Sequence, residues 1–263
     1  MDAGANCIAT ATYQASFAGF QAAGCTHVES ERLLLLAVEL AVNARTAFLA
    51  ERDKSQDTLL VAGSIGPFGA YLADGSEYRG NYAVSREDLV HFHRERLHIL
   101  ADLEIDVLAF ETIPSFEEAS VLLELLESRP SRMAWFSFSC RDAQHISDGT
   151  PLQKCADLLA DHPQVWAIGV NCIAPSMVVE AIAILRAAAP QKRIAVYPNS
   201  GERYDPDKKC WIGTAEPVEF GQASLEWLEA GAHIIGGCCR TSPAHISTMH
   251  HMIANRQVRD HRV

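Results

Sequence analysis

The chain has 263 residues, of which 48% are hydrophobic, and a formal net charge of −11. This acidic balance argues against nucleic acids and anionic membranes as partners, because both repel a negative surface. The length suits one large domain over residues 1–263. We find no apolar run of about 18 residues that would predict a membrane-spanning helix.

The amino terminus and the cysteines both bear on the cellular compartment. Met1-Asp2-Ala3-Gly4 lacks the basic region and long apolar stretch of a secretory signal. We therefore expect a cytoplasmic protein. In that reducing environment the eight cysteines are expected to be free or metal-bound rather than paired in disulfides.

Seven short runs along the chain have the composition of β-strands. Most of them are apolar throughout rather than alternating, which is typical of strands buried on both faces. The runs are Cys7–Tyr13, Leu59–Ile65, Val107–Thr112, Ala134–Cys140, Val165–Cys172, Ile194–Asn199 and His233–Cys239.

Amphipathic segments separate these runs. Leu33–Leu49 predicts an amphipathic helix. Its broad apolar face carries Leu33, Leu36, Ala37, Leu40, Ala41, Ala44, Ala47 and Phe48. Ser115-Phe116-Glu117-Glu118 has the spacing of a capping box at the start of another helix. Strands that alternate with helices predict parallel strands joined by right-handed crossovers.

This pattern predicts a TIM-type (β/α)8 barrel, or less well an open doubly wound sheet. A barrel needs eight strands and the chain has seven, so we expect its first strand and helix to be missing. Two long loops, Gly66–Tyr82 and Ser200–Pro217, follow strand ends on the face where barrels carry their active sites.

Three cysteines follow two of the predicted strands. Cys172 ends the fifth run, and Cys238 and Cys239 end the last, just before a helix that Ser242-Pro243 begins. Adjacent cysteines rarely form a good disulfide, but both can bind one soft metal. Three thiolates would suit zinc and would favour binding a substrate thiol over activating water. The alternative of ordinary buried thiols stays open at this point.

Glu111 ends the third run at the same face. A carboxylate there can bind an amino group or act as a base, although a structural ion pair is the alternative. His91, His93 and His98 fall on one charged helix and predict a solvated face rather than a metal site.

At these residues the sequence closely resembles the homocysteine S-methyltransferase family, in particular its S-methylmethionine-dependent members. The resemblance covers nearly the whole chain, and the combination of Asn-Cys with Gly-Gly-Cys-Cys-Arg is highly specific. The matching stretches are Ala9–Ala15, Ala62–Pro67, Ala73–Gly80, Glu111-Thr112, Ser147–Thr150, Val170–Cys172, Val196–Glu202 and Gly236–Thr241.

The resemblance implies a zinc-containing (β/α)8 barrel that moves a methyl group from S-methylmethionine or S-adenosylmethionine to homocysteine, giving methionine. It implies Cys172, Cys238 and Cys239 as the zinc ligands, with no catalytic residue apart from this metal site. The implied substrate contacts are Glu111, Asn171, Thr10 and Tyr78, and the loop from Asn199 to Trp211 would also face the methyl donor.

The chain departs from the family at one place. The family begins with a strand carrying an Asp-Gly pair, which this sequence lacks before Cys7. That gap leaves a truncated product, or a barrel completed by another chain, as interpretations. It also raises a second function class, a catalytically inactive homologue that binds a metal or a partner.

Overall fold

The computed structural model of the chain describes residues 1–51, 58–205, 210–212 and 216–260. Its main feature is a seven-stranded sheet in which every neighbouring pair of strands is parallel. The strands of this sheet are β1 (Cys7–Ala9), β2 (Leu60–Ile65), β3 (Val107–Ile113), β4 (Ala134–Phe138), β5 (Val165–Asn171), β6 (Arg193–Tyr197) and β9 (Ile234–Ile235).

The order of the strands across the sheet follows their order in the chain, so that β1 and β9 are its two edges. Seven parallel strands were predicted, and this prediction is confirmed. The edge strands are shorter than predicted: β1 ends at Ala9 instead of Tyr13, and β9 ends at Ile235 instead of Cys239. Each edge strand has one neighbour in the sheet. The turn after β9 lies beyond Gly236-Gly237, where the N–H of Thr241 donates to the carbonyl of Cys238 at 3.1 Å.

Helices connect the strands, as expected for parallel crossovers. A short hairpin of β7 (Arg203–Asp205) and β8 (Cys210–Ile212) interrupts the second predicted loop, whose residues 206–209 and 213–215 lie outside the described residues. The helices are α1 (Phe17–Ala22), α2 (His27–Glu51), α3 (Phe68–Leu72), α4 (Arg86–Asp102), α5 (Phe116–Glu127), α6 (Leu152–Leu159), α7 (Val178–Ala188), α8 (Pro217–Ala230) and α9 (Pro243–Asp260).

The hydrophobic core lies where helices cover the sheet. Phe110 and Phe136 of adjacent strands are fully buried, with ring centroids 4.6 Å apart. Leu97, Leu122 and Leu185 of α4, α5 and α7 are fully buried in the same cluster. Strands that are apolar along their whole length can therefore bury both faces, which is the basis of the predicted α/β class.

The buried face of α2 differs from the prediction. Ala41 of the predicted face is buried, but its other buried neighbours are Leu34 and Val38, whereas Leu36 and Leu40 are 44% and 61% exposed. Because α2 is apolar around most of its circumference, periodicity could not identify the face that packs on the sheet.

Contrary to expectation, α2 is also long and apolar enough to pass a length-and-composition test for a membrane span. Core helices of other proteins reach the same length and apolar content. Arg45 of α2 forms an ion pair with Asp106, 2.6 Å away, beside the start of β3. This contact ties α2 to the sheet.

Two predictions on α4 and α5 are wrong in part: Ser115 does cap α5 and His91 is exposed, but His93 and the Glu118 side chain differ from expectation. His93 is fully buried, not part of a solvated face. Ser115 does accept a hydrogen bond from the backbone N–H of Glu118, at 3.4 Å, but the Glu118 side chain binds Phe68 and His93. The reciprocal half of the capping box is replaced by these long-range contacts.

Candidate metal and substrate site

The three predicted cysteines come together at the carboxyl ends of β5 and β9. Their sulfur atoms all lie within 4.8 Å of one another. The Sγ atoms of Cys172 and Cys239 are 3.3 Å apart, and those of Cys238 and Cys239 are 4.0 Å apart. Cys172 is buried and the other two are partly exposed, so the cluster faces the end of the sheet from which a ligand can approach.

Backbone hydrogen bonds hold both cysteine segments to the loop after β6. The N–H of Cys172 donates to the carbonyl of Tyr197 at 3.2 Å, and that of Cys238 donates to Pro198 at 2.8 Å. Cys172 has a φ of 55°, in the left-handed region that costs about 1–3 kcal/mol for a residue with a side chain. Such a strained residue is typical of functional sites.

Asn171 is buried beside the cluster and is bonded within the chain. Its Oδ1 accepts from the backbone N–H of Thr112 at 2.7 Å, and its Nδ2 donates to Thr112 Oγ1, also at 2.7 Å. The same Nδ2 lies 3.9 Å from Cys238 Sγ. Asn171 thus joins β3, β5 and the thiol cluster.

Tyr78 reaches the cluster from the loop after β2. Its hydroxyl lies 3.1 Å from Cys172 Sγ, although the residue is 47% exposed. The short 3-10 helix Ser76–Tyr78 carries it, and Ser139 Oγ at the end of β4 donates to the Glu77 carbonyl at 2.9 Å. An aromatic ring therefore stands between the sulfur atoms and solvent.

Glu111 lies on β3 and is partly accessible. Ser64 Oγ donates a hydrogen bond to its Oε1, and Tyr197 also bonds to its carboxylate. Burial raises the pKa of Glu111 above its usual range, and the hydrogen bonds from Ser64 and Tyr197 oppose that rise. Trp135 Nε1 donates to the Tyr197 hydroxyl at 3.0 Å and fixes its orientation.

Thr10 is buried and supports Glu111 indirectly. Its Oγ1 accepts from the backbone N–H of Ser64 at 3.0 Å and lies 2.6 Å from Thr12 Oγ1. Thr12 in turn donates to the Ser64 carbonyl at 2.6 Å. The two threonines therefore hold the serine that binds the Glu111 carboxylate.

The pKa values of two adjacent thiols in the cluster shift in opposite directions. Hydrogen bonds from Cys172 and Cys238 lower the pKa of the Cys239 thiol. Hydrogen bonding to Cys172 and Cys239, together with burial, raises the pKa of Cys238. The set of soft sulfur donors suits a metal cation.

Three residues of this site were not predicted to have a role in it: Tyr13, Ser64 and Tyr197. Ser64 and Tyr197 lie at the carboxyl ends of β2 and β6, a position that could have marked them. Tyr13 follows β1 and hydrogen-bonds through its side chain to Thr112, and burial raises its pKa. Its place beside Thr112 depends on the folded loop, so no local pattern signals it.

The sequence matches one family of known proteins. The sequence model described as homocysteine S-methyltransferase matches residues 1–253. A Bacillus subtilis protein named homocysteine S-methyltransferase YbgG is 48% identical over 93% of this chain and 78% of its own. An Escherichia coli homocysteine S-methyltransferase is 50% identical over 94% of this chain and 79% of its own.

Solved structures show the same relationship. The metallated form of the homocysteine methyltransferase MmuM from Escherichia coli has a TM-score of 0.85 and 47% identity, covering 95% of this chain and 80% of that one. The apo form has a TM-score of 0.77 with 40% identity, covering 95% and 81%. The cluster of three cysteines could hold a metal ion, and a similar solved structure is a metallated form.

Proposed function

Because the chain belongs to the homocysteine S-methyltransferase family, we propose that it transfers a methyl group from S-methylmethionine or S-adenosylmethionine to homocysteine in the cytoplasm. The observation that carries this proposal is the convergence of Cys172, Cys238 and Cys239 within 4.8 Å. The relatives named for this activity favour it over the alternative of an inactive homologue that binds a metal or a partner.

We propose zinc as the metal. Cys172, Cys238 and Cys239 would hold it, since three sulfur donors fit a tetrahedral zinc with one position left open. When bound, zinc lowers the pKa of a thiol and stabilises it as a thiolate, the nucleophilic form. Three thiolate ligands make this metal a poor activator of water.

The described side chains suit the two substrates differently. Glu111 offers a carboxylate that would bind the amino group of homocysteine. The Tyr78 ring, half exposed beside Cys172, would border the cationic sulfonium donor. In the reaction the homocysteine sulfur forms a bond to the methyl carbon while the bond from that carbon to the donor sulfur breaks, releasing a neutral thioether. This displacement needs mainly alignment of the two substrates.

We also propose that residues 1–263 form one domain of the (β/α)8 type. An all-parallel sheet with helical crossovers and a TM-score of 0.85 to MmuM support this architecture. The edges β1 and β9 would flank the eighth strand of a closed barrel.

The proposal is tested by incubating the purified, zinc-loaded protein with homocysteine and each donor separately. S-methylmethionine should give two methionines per turnover, because both the methylated acceptor and the demethylated donor are methionine. S-adenosylmethionine should give one methionine and one S-adenosylhomocysteine. No methionine above the level of heat-inactivated protein with either donor would overturn the proposal.

Tyr78→Leu is expected to raise the KM for the sulfonium donor by about 3- to 30-fold, because a cation–π contact is worth roughly 0.5–2 kcal/mol. Tyr78→Phe retains the aromatic face and should leave this KM within about twofold of the parent. Steady-state kinetics with the donor varied and homocysteine saturating measure the difference. Equal donor KM values for the leucine and phenylalanine variants would exclude a role for the ring.

A further inference from the structure

Glu118 is a fully buried carboxylate on α5, away from the thiol cluster, and both of its oxygen atoms accept hydrogen bonds. Oε1 accepts from the backbone N–H of Phe68 at 2.5 Å and from Nε2 of His93 at 2.7 Å. Oε2 accepts from the Tyr82 hydroxyl at 3.0 Å. Three donors therefore satisfy both oxygen atoms of this buried carboxylate.

His93 and Arg96 complete the charge balance around Glu118. The guanidinium of Arg96 can only donate, so Nδ1 of His93, 2.8 Å away, is the acceptor and the imidazole proton lies on Nε2, facing Glu118. Burial lowers the pKa of His93 to about 4, so the imidazole is neutral. Arg96 also donates to the carbonyls of Gly66 and Ala15, in the loops after β2 and β1.

These contacts fasten both ends of the segment formed by residues 67–82, which carries Tyr78. Phe68 lies at its start and Tyr82 at its end, with ring centroids 5.5 Å apart. Within it, Gly69 packs so tightly against the Ser76–Tyr78 helix that a Cβ at Gly69 would come within 2.5 Å of the Glu77 nitrogen. A shift of Phe68 would therefore be transmitted to the backbone that positions Tyr78.

The start of α3 depends on Glu118 for a further reason. Its N-cap residue is Pro67, which forms no side-chain cap hydrogen bond. The backbone N–H of Phe68 donates to the Glu118 carboxylate on α5, and not to a local serine or aspartate. The loop geometry thus rests on a residue about 50 positions further along the chain.

We propose that Glu118, oriented by His93 and Arg96, is a positioning residue that holds the 67–82 segment so that Tyr78 borders the methyl donor. The donor part of this inference rests on the proposed function, whereas the holding of the segment does not. The test therefore has one readout for each part.

The first readout is tryptic cleavage after Arg79, whose side chain is 57% exposed within the segment. Tyr82→Phe removes one hydrogen bond, and Glu118→Gln removes the charge while retaining shape. Both should speed cleavage at Arg79 by fivefold or more, measured by mass spectrometry at native temperature. Glu117→Gln changes the exposed neighbour that pairs with Arg86, and Ile182→Val removes a buried methylene in α7. These two controls should cleave at the parent rate.

The second readout is the kinetics of the same variants. Tyr82→Phe and Glu118→Gln should raise the donor KM by about 3- to 10-fold and leave the homocysteine KM within twofold. Unchanged cleavage at Arg79 in both variants would overturn the proposal, and so would faster cleavage with an unchanged donor KM. If the parent itself formed no methionine, the proposed function would fail, while the cleavage rates would still decide whether Glu118 holds the segment.

Discussion

Cys238→Ser is expected to remove nearly all bound zinc and to lower methionine formation by more than about 100-fold. Loss of an outer-shell partner of a metal ligand typically costs 10- to 100-fold in affinity or activity, and loss of a ligand itself should cost more. A serine hydroxyl does not ionise near neutral pH, so it cannot replace one of three thiolates whose sulfur atoms lie within 4.8 Å of one another. Zinc per chain, measured on the monodisperse protein, and homocysteine-dependent methionine formation test this expectation.

Cys140→Ser is the matched control for this variant. Cys140 is also partly buried and follows β4 at the same end of the sheet, but it is not a member of the cluster of three cysteines. It should retain about one zinc per chain and the parent activity. If Cys238→Ser also kept one zinc and full activity, the assignment of Cys172, Cys238 and Cys239 as zinc ligands would be wrong.

The sheet could be predicted from sequence because its signals are local. Short runs, most of them apolar throughout, identified all seven parallel strands. The packed face of α2 could not be predicted, since leucines occupy several sides of that helix. Its buried side is decided by contact with the sheet, as Leu34 and Val38 show.

Part of the site could likewise be predicted from local sequence signals, and part of it could not. Cys172 and the Cys238-Cys239 pair were predicted to converge because each follows a parallel strand, and their sulfur atoms do meet. The support beneath Glu111 was not foreseen, since it depends on hydrogen bonds between strands that are far apart in sequence. His93 illustrates the same limit. Helical periodicity predicted that it faces solvent, but it is bonded to the buried carboxylate of Glu118 on another helix. Partners brought together by tertiary structure leave no periodic signal.

Glu111→Gln is expected to raise the homocysteine KM by roughly 10- to 100-fold and to leave the donor KM nearly unchanged. Glutamine has a similar shape but no charge, and a hydrogen bond to a charged group is worth about 1.5–3 kcal/mol.

The parent should also show a pH dependence of the homocysteine KM. Because the pKa of Glu111 is raised, the carboxylate forms at a higher pH than usual. The homocysteine KM should therefore fall as the pH rises through that value.

Ser64→Ala provides an independent check on this assignment. Ser64 donates to the Glu111 carboxylate and thereby lowers its pKa, so removing the hydroxyl should raise that pKa further. The fall in homocysteine KM should then occur at higher pH in Ser64→Ala than in the parent. At alkaline pH, where Glu111 is ionised in both proteins, the two KM values should be similar. Glu117→Gln, on the exposed side of α5, should leave the whole profile unchanged. If the homocysteine KM of Glu111→Gln equalled that of the parent at every pH, Glu111 could not bind the amino group of homocysteine. A negative charge beside that amino group must change the affinity for homocysteine.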